Sequence, residues 1–276
     1  MNKIELSNIL KKAFIEDIGM GDLTSESIFS SDETGTGIYT AKSEGVLSGL
    51  QAIETGYGVL DQNIEATLFK HDGEVVKKGE KICEVNGSIR NLLTGERVIL
   101  NLIQHLSGIA TSTYEVIRLL GDPSISVTDT RKTLPGLRAL QKYAVRCGGG
   151  QNHRFRLDDG VIIKDNHIKA AGSITKAVRS VRDHCGHMVR IEVETETRLQ
   201  VEEAVAAQAD VIMLDNRSPN QVKELKKLIP DNIIIEVSGG ITPQNIADYK
   251  KCGANVISLG WLTHSVKALD ISFNLE

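Results

Sequence analysis

VIMLDNRSPNQVKELKKLIPDNIIIEVSGG, residues 211–240, decides the fold. Two short apolar runs, VIMLD and IIIEVS, flank SPNQVKELKKL, a stretch that reads as helix. The order is therefore strand, polar residue, helix, strand. The same grammar runs from residue 124 onward, with strands at ISVTD, VIIK, VRIEVE, VIMLD, IIIEVS and NVISLG. Helical stretches lie between them at SITKAVRSVRDHC, TRLQVEEAVAAQ, SPNQVKELKKL and TPQNIADYKKC. From the second onward the strands end at Lys164, Glu194, Asp215, Ser238 and Gly260, the beat of β/α units in a parallel barrel. About 150 residues are left for this part, against roughly 200 to 250 for a complete eightfold barrel. The expected fold is thus α/β, with an incomplete parallel β/α barrel of six or seven strands.

Upstream the style changes. GIYTAKSEGVLSG and IEATLFKHDGEVVKKGEKICEV are short β-rich pieces with glycine turns. HDGEVVKKGEKI resembles the hairpin of lipoyl or biotinyl carriers. Those carriers present a modified lysine at a second exposed turn, and the turn at Asn86 to Ser88 offers none. A plain β-hairpin in a sandwich-like module is the reading. In TGERVILNLIQHLSGIATSTYEVIRLL the residues Val98, Leu102, Leu106 and Ile109 recur at helical spacing, a long helical bridge. The expected division is an N-terminal α/β open-sandwich domain over 1–110, joined by the tail 266–276, and a barrel domain over 111–265.

A chain of 276 residues with 41% hydrophobic and 25% charged residues is an ordinary globular protein, long enough for a substantial core. Its net charge of −4 excludes a surface that binds nucleic acid throughout, so an anion site must come from local concentration of Lys and Arg. Cys83, Cys147, Cys185 and Cys252 have no C-x-x-C spacing. They read as reduced thiols of a cytoplasmic protein, without a zinc site. MNKIELSNILKKAFIED reads as an amphipathic helix rather than a signal peptide, and no apolar run suggests a membrane span.

In parallel barrels the residues that act on ligands sit at the C-terminal strand ends. Here those positions hold a lysine, two carboxylates and glycine turns. Ser238, Gly239 and Gly240, followed by Thr242 and Pro243, and one unit later Gly260, are placed where barrels bind a phosphate monoester through backbone N–H groups. Residues 131–156, RKTLPGLRALQKYAVRCGGGQNHRFR, hold five arginines and two lysines and no acidic residue. An unmixed run is a nucleic-acid face or a pocket for a small polyanion. Only Tyr143 and Phe155 could stack on bases, so the polyanion fits better. Arg is the natural carboxylate clamp, each charge-assisted bond contributing about 1.5 to 3 kcal/mol. The glycines Gly148 to Gly150 read as the bend before His153 and Arg154. Glu194 and Asp215 are either an acid and base pair, or they bind sugar hydroxyls or a hydrated Mg²⁺ with a diphosphate. A phosphorylated sugar meeting a carboxylated partner is as far as the residues alone lead.

The motifs EDIGMGDLTS, GERVILNLIQHLSGIAT, DTRKTLPGLRALQKYAV, GGGQNHR, IIKDNHI, IEVE, VIMLDN, EVSGGI and VISLGWLTHS run in order along nearly the whole chain. In them the sequence resembles the quinolinate phosphoribosyltransferases, the carboxylating nicotinate-nucleotide pyrophosphorylases. The resemblance implies that quinolinate and phosphoribosyl pyrophosphate, with Mg²⁺ and no organic cofactor, give nicotinate mononucleotide, carbon dioxide and pyrophosphate. It also implies a homodimer, or a hexamer, with active sites shared between subunits. By matching position, Thr130, Arg131, Lys132, His153, Arg154 and Lys164 line the quinolinate pocket, and Arg97 reaches in from the neighbouring subunit. Glu194 and Asp215 face the ribose hydroxyls and the Mg²⁺. Ser238, Gly239, Gly240, Leu259, Gly260 and Trp261 hold the 5′-phosphate side of phosphoribosyl pyrophosphate. Lys132, Lys164, Glu194 and Asp215 are the expected catalytic residues, with the two lysines on the leaving group or on the carboxylates.

Two positions depart from the family pattern: Arg156, where a small residue is usual, and His105, often an arginine. Each reads as drift on a rim or as a change of base specificity. A related group associated with molybdenum transport shares the His-Arg motif but lacks the KDNHI signature present here at 164–168, and the signature favours quinolinate. The rival from another class is an RNA-binding protein using residues 131–156, which would show steep salt dependence.

Overall fold

The computed structural model describes residues 1–276, which divide into two compact units. The first comprises residues 1–114, 133–149 and 262–276; the second comprises residues 115–132 and 150–261. In chain order the elements open with α1 (Lys3–Ile18), α2 (Leu23–Ile28), β1 (Thr34–Ala41), β2 (Gly45–Val46) and α3 (Gln51–Leu60). Next come β3 (Glu65–Leu68), β4 (Val75–Val76), β5 (Lys81–Ser88), the long α4 (Ile89–Leu120), β6 (Ser126–Thr128) and α5 (Arg138–Cys147). Then follow β7 (Val161–Ile163), α6 (Asp165–Ala171), α7 (Ile174–His184), β8 (Ile191–Thr195), α8 (Arg198–Ala206) and β9 (Val211–Asp215). The chain closes with α9 (Pro219–Lys226), β10 (Ile234–Ser238), β11 (Val256–Ser258), α10 (Trp261–His264) and β12 (Ile271–Leu275).

The first unit is built on an antiparallel sheet of order β12-β1-β5-β3. The tail strand β12 pairs with β1 from Gly37↔Leu275 to Ala41↔Ile271. Amphipathic α1 places Leu6, Leu10 and Phe14 in the core, beside Ile53 and Tyr57 of α3 and Ile99, Ile103 and Leu106 of α4. The buried hydroxyls of Tyr39 and Tyr57 lie 2.9 Å apart, and Tyr57 also donates to the Leu92 carbonyl at 3.1 Å, so these two hydroxyls are satisfied within an apolar interior.

Two expectations need correction. The stretch 71–82 is not a two-stranded hairpin, because β4 pairs with β2 in a small separate sheet while β5 pairs with β1 and β3. The glycine turn between them exists, with Gly79 at φ +91°, but it hands the chain from one sheet to another. Residues 133–149, which a single cut near 110 assigns to the barrel, pack with the first unit. The basic block is therefore split. Within it Lys142 of α5 is fully buried, and Arg146 lies over the Tyr143 ring at 5.6 Å.

The second unit is a six-stranded all-parallel sheet of order β6-β11-β10-β9-β8-β7, an incomplete barrel. Ser173, Thr197 and Ser218 cap α7, α8 and α9 by accepting the N–H groups of Lys176, Gln200 and Gln221, and Pro219 opens α9, so these three return helices start sharply. TPQNIADYKKC is the exception. It forms only a 3₁₀ turn over Ile246–Tyr249, because the Asn245 side chain accepts from the Thr242 N–H and donates to the Gly240 carbonyl, drawing the segment back toward the preceding turn. Gln151 bridges Thr128 in parallel beyond the edge strand β6, a rudiment of a further strand. No helix of the protein is long and apolar enough to cross a membrane.

In the first unit Gly148 and Gly149 bend the chain as the sequence suggests, for different reasons. A Cβ on Gly148 would stand 2.3 Å from the Ala110 carbonyl oxygen, and Gly149 has φ +88°. Gly148→Ala is expected to lower stability by on the order of 1–3 kcal/mol, because backbone must move. Gly58, exposed in α3 with open space around it, should by contrast gain about 0.5–1 kcal/mol as alanine. Denaturant melts of the two variants check this; equal effects would remove the close approach as the reason for Gly148.

Candidate active site

Parallel register brings the polar strand ends of the second unit to one mouth. Lys164 follows β7, and its ammonium meets Glu194 of β8 at 3.0 Å. The KDNHI segment has a local physical role, since His167 Nδ1 accepts the Lys164 backbone N–H at 3.0 Å and so fixes the start of α6. Ser238 at the end of β10 stands in register with Asp215 of β9 and Ser258 of β11. Gly239 and Gly240 have φ +85° and +67°. A Cβ on Gly239 would come within 2.4 Å of the Asn216 side chain and 3.0 Å of Asp215 Oδ1, so only glycine allows this turn to approach the Asp215–Asn216 pair. Trp261, after the second glycine turn, donates its indole N–H to the Ile241 carbonyl at 3.0 Å, tying the two turns together. Leu259 is buried and donates its N–H to Thr128. These turns offer backbone donors where an anion could rest.

The residues expected to clamp a carboxylate lie around and beyond the end of β6. Thr130 Oγ1 accepts the Lys132 N–H at 3.0 Å, turning the chain just after Arg131. Fully buried Asp129 accepts from the His153 N–H at 2.9 Å and from the Asn152 side chain at 2.6 Å, holding the segment after the glycines against the end of β6. Arg154 donates one guanidinium N–H to the Gly160 carbonyl at 2.5 Å, while its Nε is buried without a hydrogen-bond partner. Burial and the neighbouring Arg131 charge press the Arg154 guanidinium below its usual pKa. Two guanidiniums that repel each other, one with a dry donor unspent, suit a bound carboxylate.

Of the expected residues, Thr130, Arg131, Lys132, His153, Arg154, Lys164, Glu194, Asp215, Ser238, Gly239, Gly240, Leu259, Gly260 and Trp261 all belong to the barrel unit. Arg97 belongs to the first unit, exposed on α4. His105 lies in the first unit too, 2.8 Å from Gln141, and burial pushes its imidazole pKa down. Arg156 is exposed.

Glu192 and Glu236 are what the sequence reading missed. Both are buried mid-strand, 5% and 3% exposed, and their carboxylates meet the His153 Nε2 at 3.1 and 3.4 Å. The signal was the period of two: Glu192 shares a face with Glu194, and Glu236 with Ser238. The three facing atoms lie within 4.8 Å of one another. Burial lowers the proton affinity of the ring, but the bonds to Glu192 and Glu236 outweigh it and hold its pKa up, to about 10. Burial also raises the Glu192 carboxyl. His153 Nδ1 accepts the Arg154 backbone N–H at 2.8 Å, which a doubly protonated ring cannot do. The raised affinity therefore belongs to the coupled cluster as a whole.

The sign of the linkage follows. An unfolded imidazole releases its proton near 6.5 and the folded cluster near 10, so the stabilisation is complete below 6.5 and is lost as pH rises through about 10. Thermal midpoints measured from pH 6 to 10.5 should fall more steeply for the unaltered chain than for His153→Asn; parallel curves would contradict the cluster's proton affinity.

Comparison with known proteins identifies the family. The family model described as the quinolinate phosphoribosyl transferase C-terminal domain matches residues 109–274, and the model for its N-terminal domain matches residues 22–107. The chain is 55% identical to a probable nicotinate-nucleotide pyrophosphorylase (carboxylating) of Bacillus subtilis (strain 168), over 100% of this chain and 95% of that one. It is 38% identical to quinolinate phosphoribosyltransferase (decarboxylating) 2b, mitochondrial, of Nicotiana tabacum, over 99% and 82% of the two chains. The crystal structure of NadC from Streptococcus pyogenes superposes with a TM-score of 0.97 at 40% identity, covering 100% of this chain and 98% of that one. The chain belongs to the quinolinate phosphoribosyltransferase family.

Proposed function

We propose that the protein transfers the phosphoribosyl group of phosphoribosyl pyrophosphate to quinolinate and decarboxylates the product to nicotinate mononucleotide, a step in de novo synthesis of NAD. The observation that carries the reading is that one unit holds three chemistries: the Arg131 and Arg154 cations, the Lys164–Glu194 pair with Asp215, and the two tied glycine turns. A dicarboxylate, a ribose and a phosphate need these three.

Arg131 and Arg154 grip the carboxylates of quinolinate, and the backbone N–H groups of the turns at Ser238–Gly240 and Gly260 take the 5′-phosphate. The ring nitrogen then attacks the sugar carbon as pyrophosphate leaves. Positive charge grows on the sugar in this step, and the carboxylates of Glu194 and Asp215 at the ribose stabilise it. Lys132 and Lys164 meet the departing negative charge. Once alkylated, the ring nitrogen draws the electron pair of the adjacent carboxylate's bond into the ring; carbon dioxide leaves and a proton takes its place. Glu194 and Asp215, hard oxygen donors at neighbouring strand ends, suit a hydrated Mg²⁺, which would neutralise charge on the diphosphate. We place the enzyme in the cytoplasm as a homodimer, with Arg97 completing the neighbouring subunit's site.

With Mg²⁺ and phosphoribosyl pyrophosphate, purified protein is expected to release carbon dioxide from quinolinate and to leave other pyridine carboxylates untouched. Turnover of another carboxylated base with none of quinolinate would overturn the substrate. Mixing inactive Arg97→Ala subunits with inactive Asp215→Asn subunits should restore activity, because some mixed dimers then carry one intact site. A mixture as inactive as its parts would place Arg97 outside the reaction.

A further inference from the structure

The segment 150–160 stands where the barrel lacks a strand, and it carries Arg154. Its only sheet pairing is the single bridge from Gln151 to Thr128. Beyond that bridge its backbone is held at Phe155, whose N–H reaches Asp159 within the segment, and at His153, whose N–H reaches Asp129. The His153 ring enters the barrel interior beside a cavity of about 400 Å³ lined by Thr128, Ile162, Val211, Ile234 and both buried glutamates. A ring that borders empty space is held less firmly by packing than one enclosed on all sides. Two hydrogen-bonding contacts fix it instead, Nε2 toward Glu192 and Glu236 and Nδ1 from the Arg154 backbone N–H. Both ring nitrogens are thus engaged inside the protein, and the second bond passes the ring's position directly to the arginine.

We propose that Glu192 and Glu236 are positioning residues for the carboxylated substrate: from inside the barrel they hold the His153 ring, and through it they set where Arg154 presents its guanidinium. The placement of the carboxylates agrees. They sit one alternation before the mouth residues Glu194 and Ser238 on the same strands, with their side chains almost fully buried. Their remaining oxygens, Glu192 Oε1 and Glu236 Oε1, are buried without a partner, an arrangement that costs stability and that a purely structural core would replace with apolar side chains. What the cost secures is a fixed direction for one ring, and a misplacement of about 1 Å at a binding group can lower a rate about a hundredfold.

The inference rests on the reading of Arg154 as a quinolinate ligand, and its test separates the two. Steady-state kinetics of the full chain would be measured for Glu236→Ala, Glu192→Gln, His153→Ala and the double variant His153→Ala/Glu236→Ala. Glu236→Ala should raise the KM for quinolinate about tenfold or more while the KM for phosphoribosyl pyrophosphate stays within about twofold. Because Glu236 acts through His153, the double variant should be no worse than His153→Ala alone. Equal rises in both KM values, or effects of Glu236→Ala and His153→Ala that multiply, would overturn the proposal. Should Glu236→Ala fail to fold, judged by its thermal midpoint, Glu192→Gln keeps volume and an acceptor, and the same split in KM is expected of it; an unchanged quinolinate KM there would equally overturn it. Failure of the unaltered chain to use quinolinate would instead sink the function and leave the linkage to be read with the base it does use.

Discussion

Parallel pairing obliges every strand of the barrel unit to finish at the same mouth, and the strand period of two then decides which side chains face inward there. Lys164, Glu194, Asp215 and Ser238 come from four strands spread over most of the unit, yet register alone brings them side by side. No long-range side-chain bond is needed to gather them. Local devices finish the work: His167 fixes the turn at Lys164, and Ser and Thr caps start the return helices at once. The strand ends therefore stay short of slack, which is what a site built for a small charged ligand requires.

The same geometry creates a difficulty. A barrel that stops at six strands leaves an opening between β6 and β7, and the segment that crosses it cannot rely on a ladder of backbone bonds. Buried charge takes over that task. Asp129 holds the segment at its start, and Glu192 and Glu236 hold the His153 ring from within. Buried carboxylates are costly unless paired, so a cluster of this kind persists where direction matters more than stability.

Much of this was legible beforehand, for identifiable reasons. The six strands and the helices α7, α8 and α9 announce themselves by apolar runs and by Ser or Thr caps, which are local signals. Gly239 and Gly240 were visible as a tight turn because a backbone at positive φ favours glycine. What failed to show was partnership. Nothing in HDGEVVKKGEKI says that β4 will pair with β2 instead of β5, since pairing is a property of distant chain. The unbroken positive charge of residues 131–156 suggested one site, whereas folding sends Lys142 to a fully buried place on a helix of the other unit. TPQNIADYKKC carries helix-forming residues, but one side-chain amide, Asn245, bonded to Gly240 and Thr242, holds it to a 3₁₀ turn.

By itself the sequence determined the β/α rhythm, the polar strand ends that parallel register gathers, the glycine turns and the family, because each is written in residues a few positions apart. Only the tertiary structure decided what His153 does. The residues that meet it, Glu192 and Glu236, are 39 and 83 positions away in the chain, and each looks in sequence like a charge interrupting a strand. Their alignment in the barrel interior depends on parallel register and on the missing strand, and both exist only once the sheet has closed around them.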